Sequence, residues 1–163
     1  MSPDGLARVS FLVGGSLKRG FTLLEILTAL VIAGVVMALA VPRFREMMTH
    51  ENVRQARANV TVRLASARSI AVQRGCEAVL HFDQTSSRVW VTTCRPEGGG
   101  KDTLGMIENL SSRFGVVFVS TPADSILFTP QGIAFAAAYI TLTFSKDGYD
   151  AVLEITPLGR AKW

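Results

Sequence analysis

Residues 21–41 form 21 consecutive positions with a single charged side chain, Glu25. At about 1.5 Å of rise per residue a helix of this length spans roughly 31 Å. That matches a hydrocarbon core of about 30 Å. The run is apolar all round rather than striped, so it does not read as the amphipathic helix of a soluble core. Lys18 and Arg19 stand directly before it, and basic residues at one end favour retention of that end in the cytoplasm. Three simpler readings compete. Ala38-Leu39-Ala40 looks like a secretory cleavage site, but the run exceeds the usual ~7–15 apolar residues of a secretory signal, and Glu25 interrupts its start. A plain single-span anchor leaves the acid without a purpose. A buried helix of a soluble protein does not fit the flanking Lys18 and Arg19.

The acid demands a partner. A charged side chain costs about 2.5–3.5 kcal/mol at a membrane helix centre and less near its end. A glycine stands at the boundary, in the order Lys18-Arg19-Gly20-Phe21-Thr22-Leu23-Leu24-Glu25. Without a Cβ, Gly20 lets the backbone be drawn extended into a narrow protease site. Cleavage after Gly20 creates an amine at Phe21, four residues before Glu25, and an i,i+4 spacing permits contact within one helix.

These residues resemble the class III signal of type IV pilins and pseudopilins. The resemblance implies cleavage between Gly20 and Phe21 by a prepilin peptidase, N-methylation of Phe21, and a role for Glu25 in assembly, where the amine of a neighbouring subunit answers the acid. Pro42 also fits the family, at mature position 22. The implied location is the bacterial inner membrane, crossed once, with the N-terminus cytoplasmic and the C-terminal part in the periplasm. The implied partners are the peptidase and other pilin subunits.

The expected organisation is a leader over 1–20, a transmembrane helical part over 21–41, an amphipathic helical part over 42–75 and a β-rich head over 76–163. The fold class is α+β, with one long helix packed on a small antiparallel head. After Pro42, charges at Arg43, Arg45, Glu46, Glu51, Arg54, Arg57, Arg63, Arg68 and Arg74 punctuate Phe44, Met47, Val53, Val60, Leu64, Ala67 and Val72. Val53, Val60, Leu64 and Ala67 recur at helical spacing. Pro42 and Gly34 are potential kink points. The arginines read as a solvated face whose stems cover apolar neighbours, with a nucleic-acid or lipid surface as the alternative. Arg74-Gly75 supplies a helix stop.

Strands are expected at 78–82, 89–93, 116–120, 125–128, 139–144 and 151–156, the fifth from its clear alternation. Gln84-Thr85-Ser86-Ser87 and Lys146-Asp147-Gly148 read as turns, the latter with hairpin chemistry. Residues 97–105, with Gly98-Gly99-Gly100, read as a flexible loop, and no internal repeat is evident. Cys76 and Cys94 flank the first expected hairpin, so a bridge across its open end fits the geometry. The 17 residues between them correspond to about 3 kcal/mol in the chain-entropy account. Two free thiols are the alternative.

Composition narrows function. The net charge of +4 and pI near 9.5 owe part of their size to the first twenty residues. Without them 14 basic side chains face 12 acidic ones, so charge alone is a weak argument for nucleic acid. No nucleophile motif, phosphate-binding glycine loop or metal-ligand spacing appears. His50 and His81 are far apart and read as structural or surface residues. No cofactor is expected, and the chain reads as the substrate of an enzyme rather than as an enzyme.

The order of parts narrows the resemblance further. Ala67-Arg68-Ser69-Ile70-Ala71-Val72-Gln73-Arg74, then Phe128-Thr129-Pro130-Gln131-Gly132, then Gly159-Arg160 are similar to the H-type minor pseudopilins and FimT/FimU-like minor pilins. That group implies a structural subunit of a type II secretion pseudopilus or type IV pilus. Within it, FimT-like proteins bind DNA through a C-terminal Gly-Arg-x-Arg. Here Lys162 replaces the second arginine, keeping the charge and losing the planar fork. Arg160 and Lys162 are therefore the candidate DNA contacts, with Trp163 as a stacking platform. The alternative is a strand-end turn with a solvated tail.

Overall fold

The computed structural model describes residues 20–95 and 99–162. Most of the expected leader, including Lys18 and Arg19, and the stacking candidate Trp163 lie outside the described residues. The elements run α1 (Leu23–Arg74), β1 (Ala78–Asp83), β2 (Arg88–Cys94), β3 (Lys101–Asn109), α2 (Leu110–Phe114), β4 (Val117–Thr121), β5 (Ser125–Phe128), β6 (Ala134–Phe135), β7 (Ile140–Lys146), β8 (Tyr149–Ile155) and β9 (Ala161–Lys162). The chain divides into two units, residues 1–41 and 42–163.

The first unit holds the apolar part of α1. A window within this helix has a mean hydropathy of 2.5, and none of that window is buried. Pro42 lies inside the helix and cannot donate to the carbonyl one turn back.

In the second unit α1 turns amphipathic. Val53, Ala56, Val60, Leu64, Ala67 and Ala71 are buried at spacings of three or four, which places them on one stripe. Three of the six are alanines, so the helix can approach the sheets closely. Phe44, Met47 and Val72, read from sequence with the apolar positions, are exposed instead, because they fall off that stripe. Arg74 is the last helical residue, followed by Gly75 at φ 64°.

Two antiparallel sheets complete the head, in the orders β3-β2-β1-β5-β6 and β4-β7-β8-β9. Alternate residues point inward: Ala78, Leu80 and Phe82 from β1, Ile126 and Phe128 from β5, Ile140, Leu142 and Phe144 from β7, and Leu153 and Ile155 from β8. They form one hydrophobic cluster with the helix stripe. At about 1.5–3 kcal/mol per fully buried large apolar side chain, this cluster is the main source of cohesion. The β7–β8 hairpin closes with Lys146 opposite Tyr149. Asp147 and Gly148 both have positive φ, 48° and 81°, as a tight two-residue hairpin requires.

The structure overturns part of the expected 97–105 loop. From Lys101 the chain is strand β3, paired with β2 from Cys94–Lys101 to Arg88–Asn109. β3 is an edge strand whose residues are mostly exposed, so it lacks the alternation that marks a half-buried strand. α2 was also not anticipated. Asn109 caps it by accepting a hydrogen bond from the Ser112 N–H at 2.9 Å, and Gly115 ends it at φ 65°.

One short turn motif recurs within the head. Thr129-Pro130-Gln131-Gly132 and Thr156-Pro157-Leu158-Gly159 build the same turn. In each, the glycine N–H donates to the threonine carbonyl at 2.8 Å. The threonine N–H donates to the carbonyl four residues on, Ile133 at 2.9 Å and Arg160 at 2.8 Å. The threonine Oγ1 accepts the returning N–H, from Ile133 at 3.3 Å and Arg160 at 3.0 Å. The first turn links β5 to β6 and the second links β8 to β9. The two are packed into the head. A Cβ on Gly132 would come within 2.9 Å of Val72 on the helix, and one on Gly159 within 2.7 Å of both Phe128 and Ala134. The phenylalanine of one sequence motif thus packs on the glycine of the other.

Arg63, Glu108 and Arg113 tie β3 and α2 to the helix. Glu108 accepts from Arg63 at 2.8 Å and from Arg113 at 2.6 Å. Arg63 also donates to Asn59 Oδ1 at 3.1 Å and to the Met106 carbonyl at 3.2 Å. Burial raises the Glu108 pKa, but the hydrogen bonds and charges of Arg113 and Arg63 outweigh it and hold the carboxyl below its usual value.

Two stability predictions follow from these contacts. Gly159→Ala combines overpacking with a φ of +74° and should cost about 2–4 kcal/mol. Gly148→Ala, with open space around it and φ +81°, should cost about 1–2 kcal/mol. Equal losses in chemical unfolding of the full chain would contradict the packing account. A carboxylate with a lowered folded pKa stabilises above its unfolded pKa and stops doing so as pH falls through the folded one. Glu108→Gln should therefore destabilise by about 1–3 kcal/mol at pH 7. The difference in melting temperature from wild type should start to shrink as pH falls below the ordinary glutamate pKa of about 4.3; a gap that does not change with pH would count against the ion-pair assignment.

Candidate assembly site and the head's charged surface

The N-terminal site begins with Gly20 and Phe21 ahead of α1, both exposed, Phe21 to 76%. Thr22 precedes the first helical residue. Its Oγ1 accepts the Glu25 N–H at 3.2 Å, and its carbonyl accepts from Glu25 and Ile26 at 3.1 and 3.2 Å. Thr22 is therefore the N-cap and Glu25 the third helical residue, the positions of a capping box. Sequence reasoning passed over Thr22, although Thr-x-x-Glu before an apolar run is a recognised helix-start signal. Glu25 lies in the first turn, where a negative charge suits the helix dipole. Its carbonyl accepts from Thr28 Oγ1 at 2.9 Å. Among the described residues its carboxylate has no ion-pair partner. The apolar side chains on either side of it, from Leu23 to Val41, are exposed.

The other candidate residues lie in the second unit. Cys76 and Cys94 form a disulfide with Cα atoms 6.2 Å apart. Cys76 stands just beyond the end of α1 and Cys94 ends β2, so the bridge ties the helix exit to the first hairpin. Arg74 reinforces the join by donating to the Cys94 carbonyl at 3.2 Å. Arg160 lies on the turn before β9 and Lys162 on β9 itself, both exposed. The tail is thus partly a strand, with Glu154 opposite Lys162 and Ile155 opposite Ala161. Arg68, counted from sequence among the solvated helix arginines, lines the same groove as Arg160 and Lys162. Tertiary folding unites them, and no local sequence signal connects position 68 with 160.

The histidines have structural surroundings. His50 stacks on Tyr149 at 3.9 Å, beside a Thr49-to-Asp147 hydrogen bond of 3.2 Å that fastens the helix to the β7–β8 turn. His81 stacks on Trp90 and its Nε2 lies 2.9 Å from Thr92 Oγ1. Burial, and then the charge of Lys101, lower its pKa. Among the described residues no group of three or more histidine, cysteine or carboxylate side chains is arranged to hold a metal.

Residues 56–159 match the family model for type II transport protein GspH, and residues 15–41 match the prokaryotic N-terminal methylation motif. No curated protein sequence matches the chain. Among solved structures, the type IV minor pilin FimU of Pseudomonas aeruginosa aligns with a TM-score of 0.55 at 17% identity, covering 69% of this chain and 88% of that one. The minor pseudopilin EpsH of the Vibrio cholerae type 2 secretion system aligns with a TM-score of 0.52 at 15% identity, covering 68% and 94% respectively. At such identities the structural likeness speaks for the fold, an apolar helix leading into an antiparallel head. Because the GspH model spans well over half of the sequence and the methylation motif overlies the start of the helix, the chain belongs to the GspH family of minor pseudopilins and minor pilins.

Proposed function

We propose that the chain is inserted in the bacterial inner membrane with its N-terminus cytoplasmic and its head periplasmic. A prepilin peptidase cuts it after Gly20, Phe21 is methylated, and the chain joins a short filament through α1. The filament is a type II secretion pseudopilus or a type IV pilus. The chain acts there as a structural subunit and not as an enzyme. The periplasm permits the Cys76–Cys94 bridge. The observation that carries this reading is the uncovered apolar stretch of α1 with an acid in its first turn that has no ion-pair partner among the described residues. Lipid can cover the apolar side chains before assembly, and the helices of other subunits can cover them afterwards. Glu25 remains a cost in either setting until a cation answers it. The free amine made by cleavage at Phe21 of an adjacent subunit is such a cation. The FimT-like DNA-binding alternative gains no specific support from the family or the fold.

Glu25→Ala should leave a processed, membrane-held protein with a folded head and abolish its incorporation into filaments. Incorporation is read by cross-linking in cell envelopes and by secretion or piliation. Normal assembly in that variant would remove the proposed role. Gly20→Val should leave the chain uncut, and a mature-sized product would count against cleavage at that bond.

A further inference from the structure

The groove between the helix and the last strand has no part in the assembly account. It encloses about 750 Å³ and is lined by Arg68, Tyr139, Leu158, Arg160, Ala161 and Lys162, among other residues. Three cations border it, and among the described residues no carboxylate does. Among the described residues none of the three has an ion-pair partner. Glu154, opposite Lys162 in register, does not form a salt bridge with it. Apolar surface stands beside the charge, with Tyr139 55% and Leu158 64% exposed.

Strand geometry favours one kind of occupant. Successive side chains of a strand point to opposite faces. Ala161 and Lys162, the two successive residues of β9, both border the groove, so it follows the edge of this short strand, with Arg160 on the turn before it. Among the described residues β9 is the last strand of its sheet and pairs only with β8. Its other edge offers backbone donors and acceptors that an extended polypeptide can pair with. A polynucleotide has no backbone amide to make that ladder.

We propose that this groove binds an extended acidic segment of another protein. The segment adds as a strand beside β9, its carboxylates meet Arg68, Arg160 and Lys162, and an apolar side chain rests on Leu158 and Tyr139. The site does not depend on filament assembly, so binding by the isolated protein tests it separately from the role of Glu25.

The test uses the full chain in detergent micelles and a fluorescent ten-residue peptide of alternating glutamate and valine, read by anisotropy. Three further probes are the same peptide with lysine for glutamate, the acidic peptide N-methylated at alternate backbone amides, and single-stranded DNA of equal charge. The acidic peptide should bind, and more weakly as salt rises. Arg160→Ala and Lys162→Ala should each weaken binding by about threefold to tenfold. Arg54→Ala, an exposed helix arginine outside the groove, should leave binding unchanged, and circular dichroism should show all three variants folded. The lysine peptide should not bind, and the N-methylated peptide should bind at least tenfold more weakly. Failure of the acidic peptide to bind at low salt, or an equal loss with Arg54→Ala, would overturn the site. Undiminished binding of the N-methylated peptide would overturn strand addition. Tighter binding of DNA with the same dependence on Arg160 and Lys162 would replace the protein partner with a nucleic acid.

Discussion

One helix in this protein answers to two environments, and its apolar side chains have to be covered in both. Beyond Pro42 the cover is internal. Val53, Ala56, Val60, Leu64, Ala67 and Ala71 meet the inward faces of two sheets. Before Pro42 the exposed side chains run from Leu23 to Val41. Exposed apolar surface on that scale is costly in water, at roughly 25 cal/mol per Å². Lipid removes that cost, and so do helices of other subunits. A helix stable in both settings can move from one to the other while its own head stays folded.

The head is built to keep its own part of that helix fixed. Fastenings are spread along it: His50 on Tyr149 and Thr49 on Asp147 near its start, Arg63 on Glu108 at its middle, and the Cys76–Cys94 bridge with Arg74 at its end. Between the last two, the turn at Gly132 sits against Arg68 and Val72. The twin turn at Gly159 then locks the second sheet onto the first through Phe128 and Ala134. Short motifs that look unrelated along the chain, an aromatic followed by a glycine and a terminal Gly-Arg, are two sides of one packed contact.

Much of this was legible in the sequence because the signals were local. The apolar run, the helix stop at Arg74-Gly75 and the Asp147-Gly148 hairpin each depend on a few adjacent residues whose chemistry permits little else. β3 escaped because an exposed edge strand directly after a triple glycine has no alternating apolar pattern. β6 and β9 escaped because two-residue strands exist only where a neighbouring strand holds them. The Thr22 cap was readable from its three-residue spacing to Glu25. The twin Thr-Pro-x-Gly turns were also readable, four residues repeated 27 positions apart, though too short to register as a structural repeat. Arg68 could be joined to Arg160 and Lys162 only by the fold. Position 68 belongs to a helix of alternating charges, and nothing near it in the chain points to the C-terminus.

The account stands on the start of the mature chain. In the proposed function, cleavage after Gly20 makes Phe21 the bearer of an amine and Glu25 the acid that a neighbouring amine meets. Intact-mass and N-terminal analysis of protein extracted from cell envelopes tests this directly. The prediction is a chain beginning at Phe21 and carrying one methyl group on its amine. A chain that still begins at Met1, or one that begins at Val41, would contradict it.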